Sequence, residues 1–263
     1  MKKICSGLLV ILVITSIAGA AFGETRLDSI KAAGKLVVAT SLDFAPFEFL
    51  DPQGQPAGAD MSLAKYIADH LGVELEIREY DFDGVLKAVA SGMADLSIAG
   101  INPTPERKRT MWFSDPYYDE NDQSVLVHKD NEAELSTLEA LKGKRVAALD
   151  GTIQEGLVKD YMPETNLRLV QNVPDGVTML LSKQLDGVAL PYALAEQYVH
   201  ECPDLVICAE KISFTSPSIA VALPKDEPEL QAAVNEAIGE AVSARLYFNW
   251  MNEAVELTNS MID

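Results

Sequence analysis

The chain has 263 residues, with 21 Lys plus Arg against 40 Asp plus Glu and a formal net charge of −19. An acidic excess of that size repels phosphate backbones and anionic lipid surfaces, and it argues against nucleic acid or membrane as a partner. Three cysteines and three histidines give no metal-ligand spacing: Cys202 and Cys208 have only His200 nearby, with no second CxxC or HxH pair.

Residues 1–23 read as a secretory signal. Lys2 and Lys3 form the basic start, Leu8 to Ile17 is an apolar run of h-region length, and small residues follow in AGAAFG. The run is too short for a transmembrane helix. Cleavage after Gly23 is expected, leaving about 240 residues, enough for one large domain or two lobes. Cys5 precedes the apolar run, so a soluble, periplasmic, monomeric protein without a lipid anchor is expected. Export to an oxidising compartment permits a Cys202–Cys208 disulfide, although an extended strand between them would hold them too far apart. The sequence leaves that question open.

In chain order, Leu36 to Thr40 predicts a strand, and Phe47 to Leu50 with the turn DPQGQPAG predicts a hairpin. A helix is expected from Asp60, with Leu63, Ile67 and Leu71 on one face and Gly72 as its stop. Val73 to Tyr80 reads as a strand, Val85 to Ala90 as a helix and Leu96 to Ala99 as a strand. Thr104-Pro105 predicts the cap and first position of a short helix. Strands are expected at Val125 to His128 and Arg145 to Leu149, and helices at Thr152 to Tyr161 and Val177 to Lys183. Ile219 to Leu223 is a predicted strand, and Glu229 to Val242 a helix with Leu230, Val234 and Ile238 on one face. Alternating strands and helices predict α/β sheets with crossovers.

The chain also repeats itself faintly. GKLVVAT (34–40) pairs with GKRVAAL (143–149), and SGMADLSIAG (91–100) with SKQLDGVALP (182–191). Asp83-Gly84-Val85 and Asp175-Gly176-Val177 precede the second pair at nearly the same offset. These matches predict two lobes with one strand–helix–strand logic.

Against the acidic background, Arg107, Lys108 and Arg109 stand together where the Leu96 to Ala99 strand gives way to the expected helix. Ligands of open α/β sheets gather beyond the carboxyl ends of strands. A guanidinium there, beside helix amides, forms a fork for a carboxylate. A surface ion pair with Glu106 or Asp115 is the competing reading. Lys108 and Arg109 are expected in solvent.

The segments VATSLDFAPFEF, GADMSLAKYIADHLG, DFDGVLKAVASGMADLSIAGINPTPERKRTMWFSDPYY and LKGKRVAALDGTIQEG resemble the amino-acid-type (family 3) periplasmic solute-binding proteins of ABC uptake systems. The resemblance runs from about Leu27 to Trp250. It implies a two-lobed, type II periplasmic-binding-protein-like fold with a mixed sheet flanked by helices in each lobe. The expected division is lobe 1 over 24–117 and 218–263, lobe 2 over 123–212, and hinge segments at 118–122 and 213–217. It implies capture of an amino acid or related carboxylate by closure of the cleft, delivery to a membrane ABC permease, and no cofactor. Arg107 matches the family's carboxylate-binding arginine, with Asn102, Gly100 and Ala99 beside it. Phe44 and Phe82 match aromatic walls, and Leu149 and Thr152 the edge of the second lobe. Where the family often holds an ammonium with Asp, this chain has Ser41 and Pro191. Either Asp43 or another acid substitutes, or the solute lacks an α-ammonium.

Two other functions compete. A cyclohexadienyl-dehydratase-like enzyme could use Glu48 or Glu155 as an acid, although no histidine falls at the expected cleft and Ser62-Leu63-Ala64-Lys65 is only a formal S-x-x-K match. A ligand-sensing module docking on a membrane receptor would share the same binding site.

Overall fold

A computed structural model describes residues 25–119, 122–213 and 218–261. The expected signal segment and positions 120–121 and 214–217 of the expected hinges lie outside the described residues.

The chain opens with α1 (Arg26–Ala33) and β1 (Lys35–Ser41), then a small three-stranded sheet of β2 (Asp43–Phe44), β3 (Glu48–Leu50) and β4 (Pro56–Ala57). It continues through α2 (Ala59–Leu71), β5 (Glu74–Tyr80), α3 (Phe82–Ala90), β6 (Leu96–Ser97) and β7 (Trp112–Tyr118). A second unit follows: β8 (Asp122–His128), β9 (Arg145–Leu149), α4 (Ile153–Tyr161), β10 (Asn166–Val170), α5 (Val173–Leu181), β11 (Gly187–Pro191), α6 (Tyr192–Glu201), β12 (Leu205–Ile207) and β13 (Ile212–Ser213). The chain then returns to the first unit with β14 (Ile219–Leu223), α7 (Pro228–Ser243) and α8 (Leu246–Ser260).

Each unit has its own mixed sheet. In lobe 1 the order is β5-β1-β6-β14-β7, with β5 and β6 parallel to β1 and β14 antiparallel to β6 and β7. In lobe 2 it is β10-β9-β11-β8-β12, with β13 also on β8. There β10 and β11 run parallel to β9, and β8 is antiparallel to β11, β12 and β13. The α/β, two-lobed expectation is what the chain adopts.

The helix faces read from sequence are the buried ones. Leu63 and Ile67 of α2 and Leu230, Val234 and Ile238 of α7 pack with Leu36, Val38 and Val221 of the sheet. Each such side chain contributes about 1.5–3 kcal/mol by leaving water. In lobe 2, Val125, Val127, Val146 and Ala148 pack with Leu157 and Val158 of α4. Gly72 closes α2 at φ 72°, donating back to Ala68 and Asp69 carbonyls, the left-handed stop that a glycine supplies.

The internal repeat is physical. Asp95 and Asp186 hold equivalent strands: Asp95 Oδ2 accepts from the Val37 N–H at 2.8 Å, and Asp186 Oδ2 from the Arg145 N–H at 2.8 Å. Their own amides donate back to the carbonyls of Val37 and Arg145, each at 2.8 Å. The repeated serines match too. Ser91 Oγ donates to the Lys87 carbonyl at 2.7 Å and Ser182 Oγ to the Thr178 carbonyl at 2.9 Å, each closing the helix before it.

Several elements differ from expectation. The helix at Thr104-Pro105 is a single 3-10 turn, Arg107–Arg109. The expected hinge at 118–122 lends Tyr118 to β7 and Asp122 to β8. Pro116 inside β7 argues against a strand, but β7 is a sheet edge and its register with β14 is interrupted at Ala220, the partner of Pro116. α5 begins at Val173, not Val177, because Asn172 caps it by accepting from the Asp175 N–H at 2.8 Å. Cys202 and Cys208 are both free.

Candidate functional site

A cavity lies between the two sheets, at the carboxyl ends of β1, β6, β9 and β11. About 370 Å³ of non-atom space, open solvent included, lies between its walls. Lobe 1 lines it with Ser41, Phe44, Phe82, Ala99, Gly100, Asn102 and Arg107, and lobe 2 with Leu149, Thr152 and Pro191. These ten are sequence candidates, which the structure brings together on one surface. Glu48, Ile153 and Gln154 complete the wall.

Arg107 is the charged feature of the cavity. Its side chain is buried, with the residue only 8% exposed. Nη1 donates to the Asn102 carbonyl at 2.8 Å, and Nη2 crosses to lobe 2 to donate to the Gly151 carbonyl at 2.9 Å. The guanidinium lies 5.2 Å from the centre of the Phe82 ring, within range of cation–π attraction. Burial lowers its pKa to about 10, opposed only in part by Glu106. It therefore stays charged at neutral pH. Among the described residues no carboxylate forms an ion pair with it. The surface-pair alternative is thereby set aside. Lys108 and Arg109 are exposed, as expected.

The local sequence explains this placement. The Arg107 N–H donates to Thr104 Oγ1 at 3.2 Å, but the residue that flanks the turn is Glu106, whose side chain makes no cap bond. The turn is three residues long and aligns too few peptide dipoles to hold an anion. The expectation that helix amides share the carboxylate is corrected here: the guanidinium is what the segment offers.

Gly100 sits at φ 55°, and a Cβ there would lie 3.3 Å from the Phe44 ring, so glycine suits both the backbone and the aromatic wall. Its N–H donates to Asp60 Oδ2 at 2.9 Å. Asp60 is fully buried at the start of α2 and also accepts from Tyr117 Oη at 2.9 Å and Tyr247 Oη at 2.7 Å. Burial raises the Asp60 pKa, and the bonds from Gly100, Tyr247, Tyr117 and Glu48 oppose the rise. This cluster fixes the Gly100 loop from behind.

On the lobe 2 side Thr152 precedes α4, but its hydroxyl donates to the Leu149 carbonyl at 2.7 Å instead of capping the helix. Gln154 Nε2 donates to Gln123 Oε1 at 2.7 Å, with both residues buried. Glu155 turns away, accepting from the Gly151 N–H and pairing with Lys159.

Asp43 is the candidate that the structure removes from the wall. It does not line the cavity; its Oδ2 accepts from the Val173 N–H at 3.2 Å, at the start of α5 in the other lobe. The acid that does reach the cavity is Glu48. Glu48, Ile153 and Gln154 line the cavity without being expected there as ligand contacts, although each lies next to motif positions. Gln154 is two residues past Thr152 in the first turn of α4, a signal that was available. Among the described residues no group of three His, Cys, Asp or Glu is placed to hold a metal ion, and no helix is long and apolar enough to cross a membrane.

A sequence profile of the bacterial extracellular solute-binding proteins, family 3, matches residues 36–253. The chain belongs to that family. It is 32% identical to the arginine-binding extracellular protein ArtP of Bacillus subtilis (strain 168), over 89% of this chain and 91% of that one. It is 29% identical to the L-cystine-binding protein TcyJ of Escherichia coli (strain K12), over 91% and 90% of the two chains. A solved neighbour is an amino acid ABC transporter substrate-binding protein from Streptococcus pneumoniae Canada MDR_19A, bound to L-arginine. It superposes with a TM-score of 0.84 and 37% identity, over 88% of this chain and 98% of that one. The two-sheet architecture is thus the type II periplasmic-binding-protein fold.

Proposed function

We propose that this family 3 protein captures an amino acid or a related carboxylate outside the cytoplasm, between lobes that close on it, and passes it to an ABC permease. One observation carries the reading: a buried guanidinium, without a carboxylate partner among the described residues, faces a cavity lined by both lobes. A buried charge without its counter-ion is costly, and a ligand carboxylate supplies one with two charge-assisted bonds. Asn102, Gly100 and Ala99 flank the anchor, Phe44 and Phe82 wall the solute, and Ser41, Leu149, Thr152 and Pro191 complete the enclosure.

Closure turns on the crossovers at 118–122 and 213–217, between lobe 1 (24–117 and 218–263) and lobe 2 (123–212). In support, β7 ends in the first sheet at Tyr118 and β8 opens the second at Asp122, while β13 ends at Ser213 and β14 begins at Ile219. The protein works as an exported monomer without a cofactor. ArtP and TcyJ are named as binding proteins, which favours capture over turnover. Calorimetry with carboxylate metabolites, on the wild type and on Arg107→Gln, tests the reading. Binding is expected only in the wild type, with each solute recovered unchanged by mass spectrometry. Equal binding by both proteins would remove the anchor, and a converted solute would make the protein an enzyme.

A further inference from the structure

The charges around the cavity narrow the class of solute that fits it, an inference that rests on the carboxylate reading above. Two ionisable side chains line the cavity, Arg107 and Glu48. Glu48 is 1% exposed and hydrogen-bonds Asp60. A hydrogen bond between two carboxyl groups needs a proton between them, and two like charges so close do not both ionise in a buried site. Gly100 N–H, Tyr117 Oη and Tyr247 Oη all donate to Asp60, at 2.9, 2.9 and 2.7 Å. Any negative charge on the pair therefore rests on Asp60, behind the wall, and Glu48 meets the cavity as a neutral acid.

Lobe 2 adds no charge. Leu149, Thr152, Ile153, Gln154 and Pro191 are its contribution, and Pro191, at the end of β11, brings neither an acid nor an N–H. Asp43 is held by the Val173 N–H. The cavity thus presents one guanidinium and no carboxylate charge. A simple carboxylate neutralises it. A zwitterion would bury an ammonium with no counter-ion, and a basic amino acid would bury two cations; neither desolvation is compensated.

We infer that the solute is a carboxylate without an ammonium group, a 2-hydroxy or 2-oxo acid. Its carboxylate meets Arg107, its apolar body rests against Phe44 and Phe82, and its neutral oxygen faces the amide of Gln154. Pro191 is the position that sets this preference.

The test is calorimetry on matched series: L-leucine, L-phenylalanine and L-alanine, each beside its 2-hydroxy and 2-oxo counterpart, together with L-arginine. In at least one series a hydroxy or oxo acid is expected to bind at least tenfold more tightly than the amino acid, and L-arginine is expected to give no binding. Pro191→Asp places a carboxylate at the end of β11 and is expected to reverse that order; Pro191→Asn, similar in shape but neutral, is expected to leave it. Asp and Asn both suit the position before α6, so both variants are expected to fold, which thermal melts check. The inference is overturned if an amino acid outbinds its partners, if all members of every series bind alike, or if none binds. Should an amino acid win and Arg107→Gln abolish its binding, the inference fails while the carboxylate anchor stands. Should Arg107→Gln leave binding intact, the anchor itself fails.

Discussion

The two lobes share a scaffold and divide the work. Both hold a parallel strand pair through an aspartate bonded twice to the neighbouring strand, Asp95 in one and Asp186 in the other. Both end a helix on a serine bonded back to the carbonyl four residues earlier. At the cavity the likeness ends. Lobe 1 presents Arg107, Asn102, Glu48 and two aromatic rings, whereas lobe 2 presents Leu149, Ile153, Pro191 and two neutral polar groups. The repeated unit supplies rigidity, and the loops at its strand ends, free to vary, supply recognition. On the proposed function, lobe 1 is the binding lobe and lobe 2 the lid.

The largest effect should come from removing the charge that makes lobe 1 the binding lobe. Each bond from a guanidinium to a carboxylate contributes about 1.5–3 kcal/mol. Arg107→Gln should therefore weaken solute binding by at least about 3 kcal/mol, more than about 100-fold, read by calorimetry. The ligand-free variant should melt no lower than the wild type, because Arg107 is buried without a counter-ion and burial already lowers its pKa to about 10. A variant that binds normally would dissolve the distinction between binding lobe and lid.

The division of labour also explains what the sequence discloses. Helix faces such as Leu63–Ile67 and Leu230–Val234–Ile238 are legible because burial imposes a period on one chain segment at a time. The anchor is legible because a cation in an acidic chain, at a strand end, has few structural reasons to be there. Asp43 misleads because its partner, Val173, is 130 residues away, and no local pattern distinguishes an acid facing a cavity from one facing a distant helix. β7 is hidden by Pro116, which only an edge position and an irregular register accommodate. Glu48 is visible as an acid, but its pairing with Asp60 is tertiary. Gln154 is the exception, since its place in the first turn of α4 could have been used.

The shared scaffold makes a second comparison. Asp95 accepts from Val37 N–H and from Arg26 Nε at 2.6 Å, with its side chain 9% exposed. Asp186 accepts from the Arg145 N–H and forks with its guanidinium at 2.9 and 3.0 Å, with its side chain 21% exposed. Asp95→Ala leaves the more deeply buried donors unsatisfied and should cost about 2–3 kcal/mol. Asp186→Ala should cost about 1–2 kcal/mol, since water reaches its partners. Urea titrations of the two variants measure the difference, and equal losses would mean that burial does not rank them. Arg145 lowers the Asp186 pKa below its ordinary 3.8. The sign follows: its contribution is present above about pH 4 and fades as pH falls through the lowered value. The gap between the wild type and Asp186→Asn should therefore close in acid.

The smallest effect concerns the seam between the lobes. Asp43 belongs to lobe 1 and accepts from Val173 N–H at the start of α5 in lobe 2, so the bond exists only while the lobes are together. Two influences oppose each other there. The helix amide favours the carboxylate, but burial is the larger influence and raises the Asp43 pKa above 3.8. A raised value means that closure favours the protonated form, so the contribution is fullest below pH 3.8 and is lost as pH rises through the raised value. An uncharged acceptor should then serve as well at neutral pH. Asp43→Ala, which loses the acceptor, should speed solute release by about three- to tenfold, roughly 1 kcal/mol. Asp43→Asn, which keeps the acceptor and sheds the charge, should release no faster than the wild type at pH 7. Stopped-flow dissociation separates the two variants. Equal acceleration in both would mean that the charge itself holds the seam, and that lobe 2 is more than a neutral lid.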